Sequence, residues 1–166
     1  MAVSVHTPSA KAHATLKQVH AFQQAIDDHR YLSEYVANVQ QSTALVRESQ
    51  PRRRIASMRA FLAEHVVGHF AFEEQHVFPQ LHAKETAQAT RRALEELVEE
   101  HKLMMGSVRN LRREMRDVRA SGSAPDLERL DQSFRDFLQV LQAHAIKEDN
   151  LLLTVKHARG RADLLT

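Results

Sequence analysis

The chain has 166 residues, a formal net charge of +2 at pH 7 and no cysteine. This length suits one domain with a sizeable core, and we assign residues 1–166 to a single domain. The missing cysteines exclude disulfides, thiolate metal sites and cysteine nucleophiles.

Apolar residues recur at steps of three and four, and only four glycines and four prolines interrupt them. This spacing predicts four helices, over residues 9–46, 51–81, 85–120 and from about 125 to 157. Four helices without a competing strand pattern predict an all-α fold. Their short connections favour an antiparallel up-down-up-down four-helix bundle. Ser123 and Asp126 resemble a capping box at the start of the last helix. We expect residues 1–8 and 158–166 to be mobile tails.

The second and fourth predicted helices carry the same short pattern, a histidine followed four residues later by a glutamate. The two copies stand 75 positions apart, at His69 and Glu73 and at His144 and Glu148. Residues four apart on a helix share a face, so each copy directs an imidazole and a carboxylate to the same side. A single pair of this kind also occurs on solvated faces, but the repetition favours a shared function.

The first and third helices each contribute one histidine within an apolar stripe. His29 precedes His69 by 40 residues, and His101 precedes His144 by 43 residues. A single core histidine is more often a hydrogen-bonded structural residue than a ligand. A buried polar group without a hydrogen-bond partner destabilises a fold by on the order of several kcal/mol. Four helices that all interrupt their apolar stripe in this way, each in mid-helix, therefore need a common explanation. We interpret the pattern as a metal site.

Four imidazoles and two carboxylates are more donors than one tetrahedral zinc requires. Mixed nitrogen and oxygen donors without thiolate suit two carboxylate-bridged metals, either iron or manganese. A ferritin-like centre would need Glu-x-x-His on two helices. Glu73 and His76 form one such pair, but Leu151 stands where the second histidine should follow Glu148. The ferritin-like ligand set is therefore excluded.

The chain resembles the hemerythrin family, also called the hemerythrin HHE cation-binding domain, over roughly residues 19–155. The resemblance rests on four strings: Asp28-His29-Arg30, His69-Phe-x-x-Glu73-Glu74-x-x-Val-Phe-Pro79, Glu100-His101 and His144-x-x-x-Glu148-Asp149. It implies two non-haem iron ions, joined by carboxylates and an oxo or hydroxo group, with manganese as the alternative metal. It also implies His29, His69, His101 and His144 as terminal ligands and Glu73 and Glu148 as bridges.

Two positions leave this ligand set open. Asp149 is a rival to Glu148 as the second bridge, because oxygen-carrying members place an aspartate five residues after the histidine. Met105 stands where those members have a second histidine on the third helix, and a thioether is a poor ligand for iron. His65, one turn before His69, is the candidate to replace the missing histidine.

Fewer protein ligands leave more open coordination, which disfavours simple oxygen carriage. We expect a di-iron protein that binds or reacts with oxygen or related oxidants, in sensing, detoxification or iron handling. The alternatives are a metal-stabilised regulatory module without turnover and a di-iron peroxidase or oxidase; no catalytic residue is assigned.

The expected ligands are oxygen and small oxidants. A protein partner or a homo-oligomer stays open, and nucleic acid is not expected, because acids dilute the arginine face of the third helix. No secretory signal and no apolar run of 18 residues is present, so we predict a cytoplasmic location and no membrane partner.

Overall fold

The computed structural model describes the backbone of residues 10–84 and 87–162 and the side chains of residues 20–83 and 87–155. Within these residues the chain is helical and has no strand. Its long helical stretches are α1 (Ala10–Gln41), residues 51–84, α5 (Gln88–Ser121) and α6 (Ala124–Ala162), and a short 3₁₀ turn covers Leu45–Arg47. The all-helical prediction is confirmed. The predicted tail at residues 1–8 lies outside the described residues, and α6 continues into the predicted tail at residues 158–166.

The second long stretch is built from five consecutive segments. These are α2 (Pro51–Phe61), a π segment (Leu62–Val66), α3 (Val67–Phe72), a second π segment (Glu73–Val77) and α4 (Phe78–Lys84). The i→i+5 hydrogen bonds of a π turn accommodate an extra residue and rotate the following face of the helix. The sequence predicts that His76, three residues after Glu73, continues the buried stripe. It is exposed instead, and Val77 and Phe78, four and five residues after Glu73, are buried.

The connection between α5 and α6 is a tight turn with both helix ends capped. Gly122 has a positive φ of 61°, and its N–H donates to the carbonyl of Val118 at 2.8 Å. The Asp126 N–H donates to Ser123 Oγ at 3.3 Å, while Ser123 Oγ donates to the Asp126 carboxylate at 2.7 Å. Ser123 therefore caps the first turn of α6 as predicted, but the capping box is incomplete, because the Ser123 N–H donates to Ser121 Oγ at 3.4 Å and not to the Asp126 carboxylate.

The buried apolar residues form two separate clusters. Core A consists of Leu32, Val36, Val39, Leu45, Met58, Phe61, Leu62, Val66, Phe70, Met104, Val108, Leu111, Met115, Val118, Leu127, Leu130, Phe134, Phe137, Leu138 and Leu141. Core B consists of Ala21, Ala25, Val77, Phe78, Leu81, Leu94, Leu97, Leu152 and Val155.

The order of the two cores reverses from each long helix to the next. On α1, core B residues precede His29 and core A residues follow it. The order is opposite around Glu73, returns around His101 and is opposite again around His144. An up-down-up-down bundle requires this alternation. The six candidate ligands, which are His29, His101 and the two His-x-x-x-Glu pairs, lie between the two cores.

A buried ion pair joins α6 to the end of α1. Asp131 is 7% exposed and accepts a hydrogen bond from Arg135 Nε at 2.8 Å. The same guanidinium donates to the carbonyls of Val39 at 2.7 Å and Ser42 at 3.2 Å. Arg135 thus pairs with the buried carboxylate and links it to carbonyls at the end of α1.

None of the helices in the described part of the chain combines the length and apolarity needed to cross a bilayer.

Candidate metal centre

The six candidate ligands meet in one buried layer, which we call the metal layer. None of them is more than 4% exposed: His29, His69, Glu73, His101, His144 and Glu148. His29 comes from α1, His101 from α5, and the remaining four from the two His-x-x-x-Glu copies. Helical spacing explains each copy, since it brings the imidazole and the carboxylate to the same face. The core order explains why all four helices present these residues at the same level.

The layer divides into two groups that share both glutamates. One group combines His29 and His69 with Glu73 and Glu148, and the other combines His101 and His144 with the same two carboxylates. Within each group the candidate ligand atoms lie within 4.8 Å of one another. Each group could hold one metal ion.

The Glu73 carboxylate faces both pairs of histidines, one with each oxygen. Oε1 lies 3.3 Å from His29 Nε2 and 3.2 Å from His69 Nε2, whereas Oε2 lies 3.5 Å from His101 Nε2. Glu148 Oε2 lies between the pairs as well, 3.2 Å from His29 Nε2 and 3.3 Å from His144 Nε2. Both carboxylates therefore occupy positions from which they could bridge two ions.

Every histidine of the layer directs Nε2 inward and Nδ1 toward a second carboxylate. The Nδ1 pairs are His29 with Asp149 at 2.7 Å, His144 with Glu100 at 2.7 Å, His101 with Glu74 at 3.0 Å and His69 with Asp28 at 3.5 Å. An ionised carboxylate can only accept a hydrogen bond, so Nδ1 carries the hydrogen in the bonded pairs. The neutral ring then turns its Nε2 lone pair to the interior, as a metal ligand must.

The interior of the layer lacks hydrogen-bond donors for its acceptors. Among the described residues, eight buried side-chain atoms have no hydrogen-bond partner, and seven of them belong to this layer. The seven are His29 Nε2, both ring nitrogens of His69 and both carboxylate oxygens of Glu73 and of Glu148. In addition, His101 Nε2 faces His144 Nε2 at 2.9 Å. Of the seven, His69 Nδ1 faces Asp28, and the other six face the interior. A cation between those six atoms would satisfy them, so the donor set fits two metal ions.

The titration behaviour of the layer reflects the same shortage of positive charge. Burial alone lowers the pKa of His29, but the nearby carboxylates of Glu148, Glu73 and Asp149 outweigh it and raise that pKa to about 11. Burial raises the pKa of Glu73. Burial also opposes ionisation of Glu148, yet the imidazoles of His144 and His29, at 3.3 Å and 3.2 Å, hold its pKa low. The two buried carboxylates therefore favour a positive charge beside them.

Aromatic rings enclose one side of the layer. Phe70 stacks on His101 with ring centroids 4.0 Å apart, and Phe78 lies on the same imidazole with centroids 5.4 Å apart. Phe70 also contacts the edge of His144 at 5.8 Å. These contacts hold the imidazoles and keep water from the layer.

Three residues that the sequence left open lie outside both groups. Asp149 contacts His29 Nδ1 and does not face the interior. His65 is half-buried and packs against the rings of Tyr31 at 4.4 Å and Phe61 at 6.0 Å. Met105 is half-buried against core A. No described histidine therefore occupies the place of the missing fifth one.

Sequence reasoning assigned no role to Asp28, Glu74 or Glu100. A signal was present, because each of them directly adjoins a residue of the metal layer in the sequence. The partner of each lies on a different helix, which the spacing alone does not reveal.

Fold and layer together define an all-helical protein with a candidate dinuclear cation site. The family model described as "Hemerythrin HHE cation binding domain" matches residues 20–155. The chain belongs to this family of cation-binding domains. No curated protein and no solved structure matches the chain significantly.

Proposed function

We propose that this protein binds two iron ions in the buried layer and uses them to bind or react with oxygen or related oxidants. The helices would form the antiparallel up-down-up-down bundle that the sequence predicts. The single observation that carries the proposal is the set of six inward-facing polar atoms without hydrogen-bond partners, namely Nε2 of His29 and His69 and both oxygens of Glu73 and Glu148. Manganese is the alternative metal, because it accepts the same nitrogen and oxygen donors. The cytoplasmic location stays a prediction from the sequence.

In this proposal the side chains divide the work of holding the metals. His29 and His69 would bind one ion and His101 and His144 the other. Glu73 and Glu148 would bridge the ions, fix their separation and supply two negative charges. Iron bound there would supply reversible oxygen binding or electron transfer to an oxidant. The chain offers four donors to each ion, so positions stay open on both.

Open positions on both ions favour reaction with oxidants over simple oxygen carriage. Met105 supports this choice, because the resemblance places a histidine there in oxygen carriers and the structure offers no substitute. Sensing, detoxification and iron handling all fit a centre of this kind. A di-iron peroxidase or oxidase uses the same ligands and would differ by sustained turnover.

A regulatory module without turnover is the second candidate, favoured by the same unpartnered atoms. Because a metal would satisfy buried groups that the chain leaves free, binding would stabilise the fold directly. A partner protein could then recognise the metal-loaded form. A large gain in melting temperature on loading, without any reaction with oxygen or peroxide, would favour this candidate.

The test is the iron content per chain after anaerobic loading, followed by an optical spectrum on exposure to air. The expected result is close to two irons per chain and new charge-transfer bands in the near-ultraviolet and visible range. Repeated addition of peroxide to the same sample then separates turnover from a single reaction. One iron or none, with no new bands, would refute the di-iron proposal.

A further inference from the structure

Four carboxylates surround the metal layer, and each adjoins one of its residues in the sequence. Asp28 precedes His29, Glu74 follows Glu73, Glu100 precedes His101, and Asp149 follows Glu148. None of the four has a hydrogen bond or ion pair with the residue that it adjoins. Each lies instead beside the Nδ1 atom of a histidine on another helix.

These contacts follow an internal two-fold pattern. In the first half, residues 20–84, Asp28 lies beside His69; in the second half, residues 87–155, Glu100 contacts His144 in the same way. The other two contacts cross between the halves. Asp149 binds His29, and Glu74 binds His101. Each half thus supplies one carboxylate that orients a histidine of the other half.

We infer that Asp28, Glu74, Glu100 and Asp149 are positioning residues that set the tautomer and ring orientation of the four metal-binding histidines. The inference rests on the proposed metal site. A carboxylate that accepts from Nδ1–H fixes the hydrogen on that nitrogen and leaves the Nε2 lone pair for the metal. It also makes the imidazole a stronger base and hence a stronger ligand.

The four contacts differ in length, so their effects should differ in size. Asp149 and Glu100 lie 2.7 Å from their Nδ1 partners and should matter most. Glu74 at 3.0 Å should follow, and Asp28, at 3.5 Å and without a formal hydrogen bond, should matter least. Glu100 also accepts from Lys147 Nζ at 2.7 Å through its other oxygen. Lys147 draws negative charge away from His144, so Glu100 should support its histidine less than Asp149 does.

The four carboxylates are half-exposed, between 36% and 47% in their side chains, although the imidazoles they contact are buried. Replacing one of them therefore removes little from the apolar cores. A general loss of folding is not expected, so their effect on metal binding can be measured separately.

The experiment titrates the metal-free full-length protein with Zn²⁺, a diamagnetic probe, and measures affinity by competition with a chelator and ring tautomers by nitrogen NMR. The variants are Asp149→Ala and Glu100→Ala, with Glu99→Ala as the matched control. Glu99 adjoins Glu100 in sequence, is 68% exposed and contacts Lys102. We expect roughly 10–100-fold weaker Zn²⁺ binding for the two variants and an unchanged control.

The NMR spectra separate positioning from a general structural effect. Asp149→Ala should change the ring tautomer signals of His29, which lies in the other half, and leave those of His144 unchanged. Asp149→Asn keeps a carbonyl acceptor and should recover part of the affinity. The metal-free melting temperatures of all variants should match the control. If Asp149→Ala fails to fold, the Asn variant and Glu100→Ala carry the same test.

Two outcomes distinguish this inference from the proposed function. If the unmodified protein binds two Zn²⁺ and the variants match the control in affinity and in ring signals, the positioning role is refuted and the metal site stands. If the unmodified protein binds fewer than two Zn²⁺, the dinuclear site itself fails and the positioning role fails with it.

Discussion

Two buried polar groups on α6 show how differently a chain can treat charge in its interior. Asp131 is 7% exposed, and Arg135 neutralises it while donating to two carbonyls at the end of α1. Glu148, further along the same helix, is 2% exposed, and neither of its oxygens has a hydrogen-bond partner. The first group is complete within the protein, whereas the second is not.

This difference distinguishes a structural polar group from a candidate ligand. A buried polar group that serves the fold finds its partners in the chain, because an unmade hydrogen bond costs about 1–3 kcal/mol. A layer with seven unpartnered atoms gives up that stability unless something else supplies the missing charge. The Asp131–Arg135 pair should therefore respond to mutation through stability, and the metal layer through occupancy.

The largest expected effect is the loss of metal from Glu73→Ala. Glu73 belongs to both groups and faces histidines with each oxygen, so its removal disturbs both ions at once. We expect iron content per chain, measured by elemental analysis after anaerobic loading, to fall from two to below one. His76→Ala is the control, because His76 lies three residues later on the same stretch and is exposed. Equal iron content in both variants would contradict the assigned ligand role.

The sequence predicted the six candidate ligands because helical geometry makes the relation local. A spacing of four residues aligns His69 with Glu73 whatever the rest of the chain does. It did not predict that His76 is exposed and Phe78 buried, since the π segment Glu73–Val77 changes the period that such an argument assumes. No residue type in that segment signals the change. The wider turn shows only in the folded chain.

The roles of the outer carboxylates could not be predicted from spacing for a related reason. Asp149 seemed a rival bridge because it lies beside Glu148, but its partner is His29, 120 residues away. Which helix lies beside which, and at what height, decides this contact. Sequence periodicity predicts on which face of a helix a residue lies, but not which residue of another helix it contacts.

The second expected effect is a loss of stability on metal removal. The unpartnered atoms of the layer gain their partners when a cation binds, and free metal at 1,000 times its Kd would stabilise the fold by about 4 kcal/mol. For a chain of this length that corresponds to a rise of roughly 10 °C in melting temperature. Thermal unfolding with iron and with excess chelator, both under anaerobic conditions, measures the difference. Identical melting temperatures would mean that the layer is satisfied without metal.

A smaller loss of stability, which does not depend on metal, is expected for Arg135→Ala. This variant leaves Asp131 without its partner and removes one donor from each of the carbonyls of Val39 and Ser42, which should cost about 2 kcal/mol. The loss should be equal with and without metal, and iron content should stay at two. Chemical denaturation of both forms measures it. Arg129→Ala is a suitable control, because its 58% exposed side chain makes only a surface pair with Asp126.

The smallest expected effect is a gain, from Met105→His. His101 and Met105 are four residues apart on α5, and Met105 is half-buried beside core A. A histidine there would restore the pair that the resemblance assigns to oxygen carriers and add a fifth donor to the second ion. We expect iron to be retained on the order of tenfold longer against a chelator, equivalent to about 1.4 kcal/mol.

The reaction with peroxide should slow in the same variant, because one open position is filled. Met105→Leu keeps the packing against core A without adding a donor, so it should behave as the unmodified protein does in both measurements. If Met105→His releases iron as fast as Met105→Leu, residue 105 does not reach the metal. The four histidines and two glutamates would then be the complete set of protein ligands.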